Sequence, residues 1–220
     1  MIRVSLPASP AHYVSTVRQP GLAFLAATPH PTRDDWQRHR YWSEIHGYLY
    51  REHQGVCGYC ASWTPRRPRK GGPDHTSIDH FIPKSRDPQR AYEWENFRLA
   101  RAKLNNRKAD FEDVVDPCGI QAGWFQLSFS TFLIRPAADL PFVTQQRIRD
   151  TIARLELNSD PAYINERARV AYRYAAGKFP FNDLERLYPF VAAEMTAQHF
   201  DAVLKPSFLT VLAKRPWLAN

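Results

Sequence analysis

The clearest change of period along the chain falls near its middle. Upstream, behind Trp36, the apolar residues Tyr41, Ile45, Tyr48 and Leu49 recur three and four positions apart, the spacing of one helical face. Thr32 offers an N-cap, and Asp34 and Asp35 fall in the first turn where the helix dipole favours acids. This predicts a helix from about Asp34 to His53, stopped at Gly55. At Ser77 to Ile82 the pattern shortens to an apolar run broken by Asp79 and His80 and closed by Pro83. A second short run, Phe97 to Ala100, follows Asn96, and a basic helix-compatible segment carries Asn105, Asn106 and Lys108. The order is strand, loop, strand, helix.

Further on, Trp124 to Ile134 reads as strand, Phe125, Leu127, Phe129 and Thr131 alternating with polar residues as in a hairpin or edge. A helix capped by Thr144 is expected to reach about Leu157, with Ile148, Ile152 and Leu155 on one stripe. Asp160 and Pro161 open another, carrying Ile164, Ala168, Ala171, Tyr172 and Ala175 until Gly177. The last forty residues predict short helices broken by Pro189, Pro206 and Pro216. Five prolines in residues 1–31 predict an extended arm. The organisation expected is an arm over 1–31, a core with its preceding helix over 32–117, and a hairpin with a helical subdomain over 118–220, together one compact unit. The fold class is α+β, mostly helical, around a small strand–strand–helix core.

At 220 residues the chain is long enough to bury a sizeable core. Its formal charge of +8 and pI near 9.6 favour a polyanionic partner. Three cysteines are too few, and odd in number, for a disulfide framework. The first residues lack the apolar centre of a signal peptide, and no run approaches the roughly 20 apolar residues that span a bilayer. A cytoplasmic protein with no membrane partner is expected.

The polar residues interrupting the central runs, Asp79, His80, Asn96 and Asn105, are types that bind a hard metal, move a proton or hold a loop. At these positions the chain resembles the HNH nucleases, the ββα-metal or His-Me-finger family. The family pattern Asp-His-x-x-Pro, Asn-Phe, Asn-x-x-Lys is met by Asp79-His80 with Pro83, Asn96-Phe97, and Asn105 with Lys108. The likeness covers roughly residues 55–112. The run Thr151 to Asn158 is similar to standalone HNH proteins of retron- and Septu-type anti-phage systems.

The resemblance implies a ββα-metal core and a metal-dependent endonuclease that hydrolyses DNA phosphodiesters, the effector of a defence system. His80 is then the base, since imidazole titrates nearest neutral pH. Asn96 orients the loop that carries its acceptor. Asp79 and Asn105 become ligands of Mg2+ or another divalent cation such as Mn2+; Asn106 is the alternative to Asn105, which keeps the family spacing. Phosphate contacts are expected from Lys108, Arg107, Lys103, Arg101 and Lys84, and from the Pro- and Arg-rich loop with Arg66, Arg67, Arg69 and Lys70. Duplex DNA is the expected partner, RNA stays open, and an ATPase-type protein partner is implied by the anti-phage likeness.

Cys57 and Cys60 occupy the first half of the family's zinc knuckle, but Arg101 and Leu104 stand where its second pair belongs. Two thiolates do not complete a structural zinc site, so no structural zinc is expected. Two alternatives compete with the enzyme reading: a catalytically inactive nucleic-acid-binding module, and a protein-interaction subunit whose charge meets an acidic partner.

Overall fold

The computed structural model describes residues 1–68 and 74–200. Arg69, Lys70 and the expected breaks at Pro206 and Pro216 lie outside these. The fold is α+β and mostly helical. Among the described residues no helix is long and apolar enough to cross a membrane. The chain packs as two compact units. Among the described residues, one comprises those of Val4–Tyr59 and Thr64–Glu112; the other comprises Met1–Arg3, Cys60–Trp63 and the described chain from Asp113 to Phe200.

Residues 4–10 of the expected arm have no helix or strand, and the Pro7 and Ala8 carbonyls accept from Trp94 Nε1 and Tyr48 Oη, but helix follows where extension was expected. A π-helical turn at Val14–Arg18 runs into helix α1, Gln19–Ala27. Pro20 sits in the first turn of α1, where its missing N–H costs nothing. Val17, Phe24 and Leu25 are buried, so this segment is part of the core. Gly21 lies so close to the Tyr92 ring that a Cβ there would approach it within 2.2 Å.

The expected single helix over Asp34–His53 is three pieces: α2, Arg33–Arg38; a 3-10 turn, Tyr41–Ile45; and α3, His46–Glu52. The start is as anticipated. Thr32 accepts from the Asp35 backbone, and the Asp35 carboxylate accepts from the Thr32 backbone N–H at 2.9 Å, a complete capping box. The break at His39 comes from packing. It lets Trp36 and Trp42 both reach the Tyr92 ring, at centroid distances of 6.2 and 5.7 Å. Gly55 takes φ +74° just past α3, a left-handed turn that glycine allows.

Strand β1, Thr76–His80, pairs antiparallel with β2, Phe97–Arg101, in a register that sets Asp79 opposite Arg98 and His80 opposite Phe97. Helix α4, Ala102–Lys108, packs on both strands. This strand–strand–helix unit is the one expected from the pattern.

In the second unit β3, Phe125–Leu127, and β4, Ile134–Pro136, form a short hairpin. The expected strand from Trp124 is broken by a turn in which Phe132 takes φ +59°. Helix α5 spans Phe142–Arg154. It starts ahead of Thr144, with Pro141 at the N-cap, and buries Ile148 and Ile152. Helix α6, Pro161–Ala175, begins as expected: Asp160 accepts from the Ala162 N–H at 3.0 Å. Helices α7, Phe181–Leu187, and α8, Pro189–Ala197, complete the described residues of this unit.

Candidate functional site

A cleft of about 1100 Å³ opens in the first unit, between the α2 region and the strand–strand–helix element. Asp79, His80 and Asn105 all contribute to its wall. Strand alternation gives the first two different neighbours: Asp79 meets Tyr59 and Lys108, and His80 meets Trp42 and Phe97.

His80 is held in one tautomer. Its Nε2 lies 2.9 Å from the carbonyl oxygen of Ala91. A carbonyl only accepts, so Nε2 carries the proton and Nδ1 the lone pair. Among the described residues Nδ1 has no partner, and the ring belongs to the cleft lining. The ring stands edge-on to Trp42, with centroids 4.6 Å apart. Burial, with Lys84 and Lys108 nearby, lowers the imidazole pKa to about 3, so the ring is neutral at physiological pH.

Asn96 fixes the loop that supplies Ala91. Its Oδ1 accepts the Ile82 N–H at 2.7 Å, while Nδ2 donates to the carbonyls of Ile82 at 3.0 Å and Arg90 at 2.9 Å. Its own carbonyl accepts from Phe81 at 2.8 Å, which continues the β1–β2 ladder by one bond. Asn96 thus ties β2 to the Ile82 and Arg90 backbone, beside Ala91.

Asn105 donates through Nδ2 to Ser77 Oγ and the Ile78 carbonyl, both at 3.1 Å. Because the Ile78 carbonyl requires a donor, the amide's orientation is fixed and Oδ1 is left over. That oxygen has no partner among the described residues, and Asn105 is half-buried in the cleft lining. Asn106 lines the same cleft.

Asp79 is 2% exposed. Its Oδ2 accepts from Tyr59 Oη at 2.5 Å, and its Oδ1 lies 3.2 Å from Lys108 Nζ. Burial pushes its carboxyl up, and Lys108 and the Tyr59 hydroxyl act in the opposite direction. Each carboxylate oxygen has two lone pairs, so both retain one acceptor site.

The cationic residues divide sharply. Lys84, Arg66 and Arg67 line the cleft. Lys108 does not fit the expectation of a phosphate contact. Its side chain is completely buried, and Nζ also donates to the His80 carbonyl at 2.9 Å. An ammonium sealed this way meets no phosphate. Arg101 also departs from its expected role: it is buried, with Nε donating to Thr64 Oγ1 at 2.7 Å. Lys103 is exposed and Arg107 half-buried on α4, away from the cleft lining.

Several cleft residues had no signal in the sequence. Arg40, Trp42 and His46 come from the region read as a plain helix, and Arg33 stands just before it. Tyr59, behind the cleft wall on Asp79, also carried no expectation.

The fit of a metal can be tested on the donors. Among the described residues no three His, Cys, Asp or Glu side chains gather to hold an ion, so any ion here would have few protein ligands. The Asn105 carbonyl is an uncommitted hard donor, and Asp79 adds a carboxylate with spare lone pairs. Two oxygens completed by water suit Mg2+. Zinc is a separate matter: Cys57 is buried, and its Sγ accepts the Arg101 backbone N–H at 3.2 Å.

No family model matches this chain, and no curated protein does.

Proposed function

We propose that this protein is a metal-dependent endonuclease that hydrolyses DNA phosphodiesters in the cleft beside β1. The observation that carries the reading is the pair of unsatisfied acceptors on one cleft wall, His80 Nδ1 and Asn105 Oδ1, in a basic setting. A lone pair left free next to a fixed tautomer is what a general base needs. Arginines and a lysine around it are what a phosphate backbone needs.

In this reading Lys84, Arg40, Arg66 and Arg67 hold the strand by its phosphates. Water attacks phosphorus and loses its proton to His80 Nδ1, the P–O3′ bond breaks, and the 3′ oxygen is protonated by solvent. The Ala91 carbonyl stabilises the imidazolium through its bond to Nε2. The low proton affinity of the buried imidazole is not prohibitive, because an arriving phosphate carries negative charge and raises it. Asp79 and Asn105 would hold Mg2+ or Mn2+, which supplies charge stabilisation at the phosphate and the leaving oxygen.

The test is plasmid nicking with Mg2+, comparing wild type with His80→Ala. Loss of nicking in the variant, with duplex binding retained, is the expected result. Equal product from both proteins removes the enzyme reading.

A further inference from the structure

Lys108 spans the two residues of the Asp-His pair. Its Nζ lies 3.2 Å from Asp79 Oδ1 and 2.9 Å from the His80 carbonyl oxygen, with no exposed side-chain surface. Opposite it, Tyr59 holds the second carboxylate oxygen. A surface lysine engaged on a phosphate would look nothing like this. The ion pair instead sets the charge of the cleft wall before any ligand arrives.

We propose that Lys108 is a positioning residue that keeps Asp79 internally paired and thereby makes divalent-cation binding conditional on the polynucleotide. This rests on the nuclease reading and concerns how its site is assembled. The charges decide the direction. Asp79 brings one negative charge, Lys108 cancels it, and Asn105 adds none. Lys84 also acts electrostatically on Asp79. The donors therefore offer a dication almost no net negative charge in the free protein. Mg2+ is characteristically bound through one or two carboxylates together with substrate phosphates. Here the phosphodiester must supply the missing charge, so cation and strand enter together. Linkage makes the effect reciprocal: whatever factor the duplex adds to cation affinity, the cation adds to duplex affinity.

The experiment uses Mn2+ as the probe, read by the loss of the free-ion electron paramagnetic resonance signal. The full-length protein carries His80→Gln, which halts cleavage while keeping the side chain's bulk. Mn2+ is titrated with and without a short random-sequence duplex, and Mn2+ taken up by duplex alone is subtracted. The expected gain in Mn2+ affinity with duplex is about tenfold or more, inside the roughly 5- to 150-fold span typical of coupled sites.

Lys108→Met, confirmed as folded by circular dichroism, is expected to bind Mn2+ about tenfold more tightly in the free protein and to lose most of the coupling. A folded Lys108→Met protein with unchanged Mn2+ affinity overturns the role of Lys108, which a merely structural lysine would leave untouched. A substitution-free arm comes from reciprocity. Wild-type protein is expected to bind the duplex more tightly in Mn2+ than in EDTA, by fluorescence anisotropy read on rapid mixing before cleavage. Duplex binding with equal Mn2+ affinity in both states overturns this inference and leaves the nuclease reading standing. Absence of duplex binding under every condition overturns both.

Discussion

Replacing Asn96 probes the loop that fixes the imidazole, and its effect can be estimated bond by bond. The side chain is 2% exposed and makes three hydrogen bonds, one received from Ile82 N–H and two given to the carbonyls of Ile82 and Arg90. A typical intramolecular hydrogen bond contributes about 0.5–1.5 kcal/mol net. Ile82 is half-buried and Arg90 exposed, so water recovers part of what Asn96→Ala removes. About 2–3 kcal/mol is the expected loss, measured as a shift of the urea midpoint at constant slope.

Asn96→Asp sharpens the test. A carboxylate still accepts from Ile82 N–H but faces two carbonyl oxygens that need donors. It is therefore expected to destabilise at least as much as alanine at neutral pH, and to recover partly once protonated in acid. Because Arg90 adjoins Ala91, whose carbonyl sets the His80 tautomer, nicking by either variant is expected to fall about 10- to 100-fold at saturating DNA. An aspartate variant as stable as wild type at neutral pH would refute the donor assignment. A destabilised but fully active alanine variant would refute the link to His80.

Two further predictions concern stability. Ala109 closes α4 with φ +48° and ψ −123°, a conformation that costs a residue with a Cβ about 1–3 kcal/mol, so Ala109→Gly is expected to raise the unfolding free energy by about 1 kcal/mol or more, read as a higher urea midpoint; an unchanged midpoint would show the strain is not there. Asp35 in the capping box has its carboxyl lowered to about 2 by the Thr32 side chain, the Thr32 backbone and Arg38. A depressed folded value contributes stability above the ordinary carboxylate range that is lost as pH falls from about 3.8 toward 2. Asp35→Asn is expected to flatten the stability profile in that window, which acid titration by circular dichroism would show.

The strand–strand–helix core could be read from the chain because its signals are local. Two short apolar runs, a loop closed by Pro83, and asparagines at fixed offsets each constrain their own neighbourhood. The roles of His80 and Asn96, a base with an acceptor and the residue that holds its loop, came from the resemblance to the HNH motif and not from periodicity. What escaped was decided by packing. Lys108 lies in a basic helix that reads as a solvated face, and nothing in its neighbours announces a buried carboxylate partner from a strand 29 positions earlier. Pro20 was taken with four other prolines as a sign of extension, although a first-turn proline is compatible with a helix. The breaks at His39 and around Phe132 have no glycine or proline to mark them. Trp42 and Tyr59 are ordinary aromatic residues until tertiary structure turns one to the imidazole and the other to Asp79.

The short insertion Cys60–Trp63 belongs to the second unit, although Tyr59 and Thr64 on either side of it belong to the first. Trp63 N–H is bonded to the carbonyl of Leu187, at 2.7 Å. Neither unit is thus a continuous stretch of polypeptide, and no single cut releases one of them whole. A truncation after Glu112 would keep every donor named in the cleft yet leave those four residues with nothing to fold against, one peptide bond from the tyrosine that clasps Asp79. A fragment that carries the cleft alone therefore needs a splice across positions 60–63 together with the shorter carboxyl end.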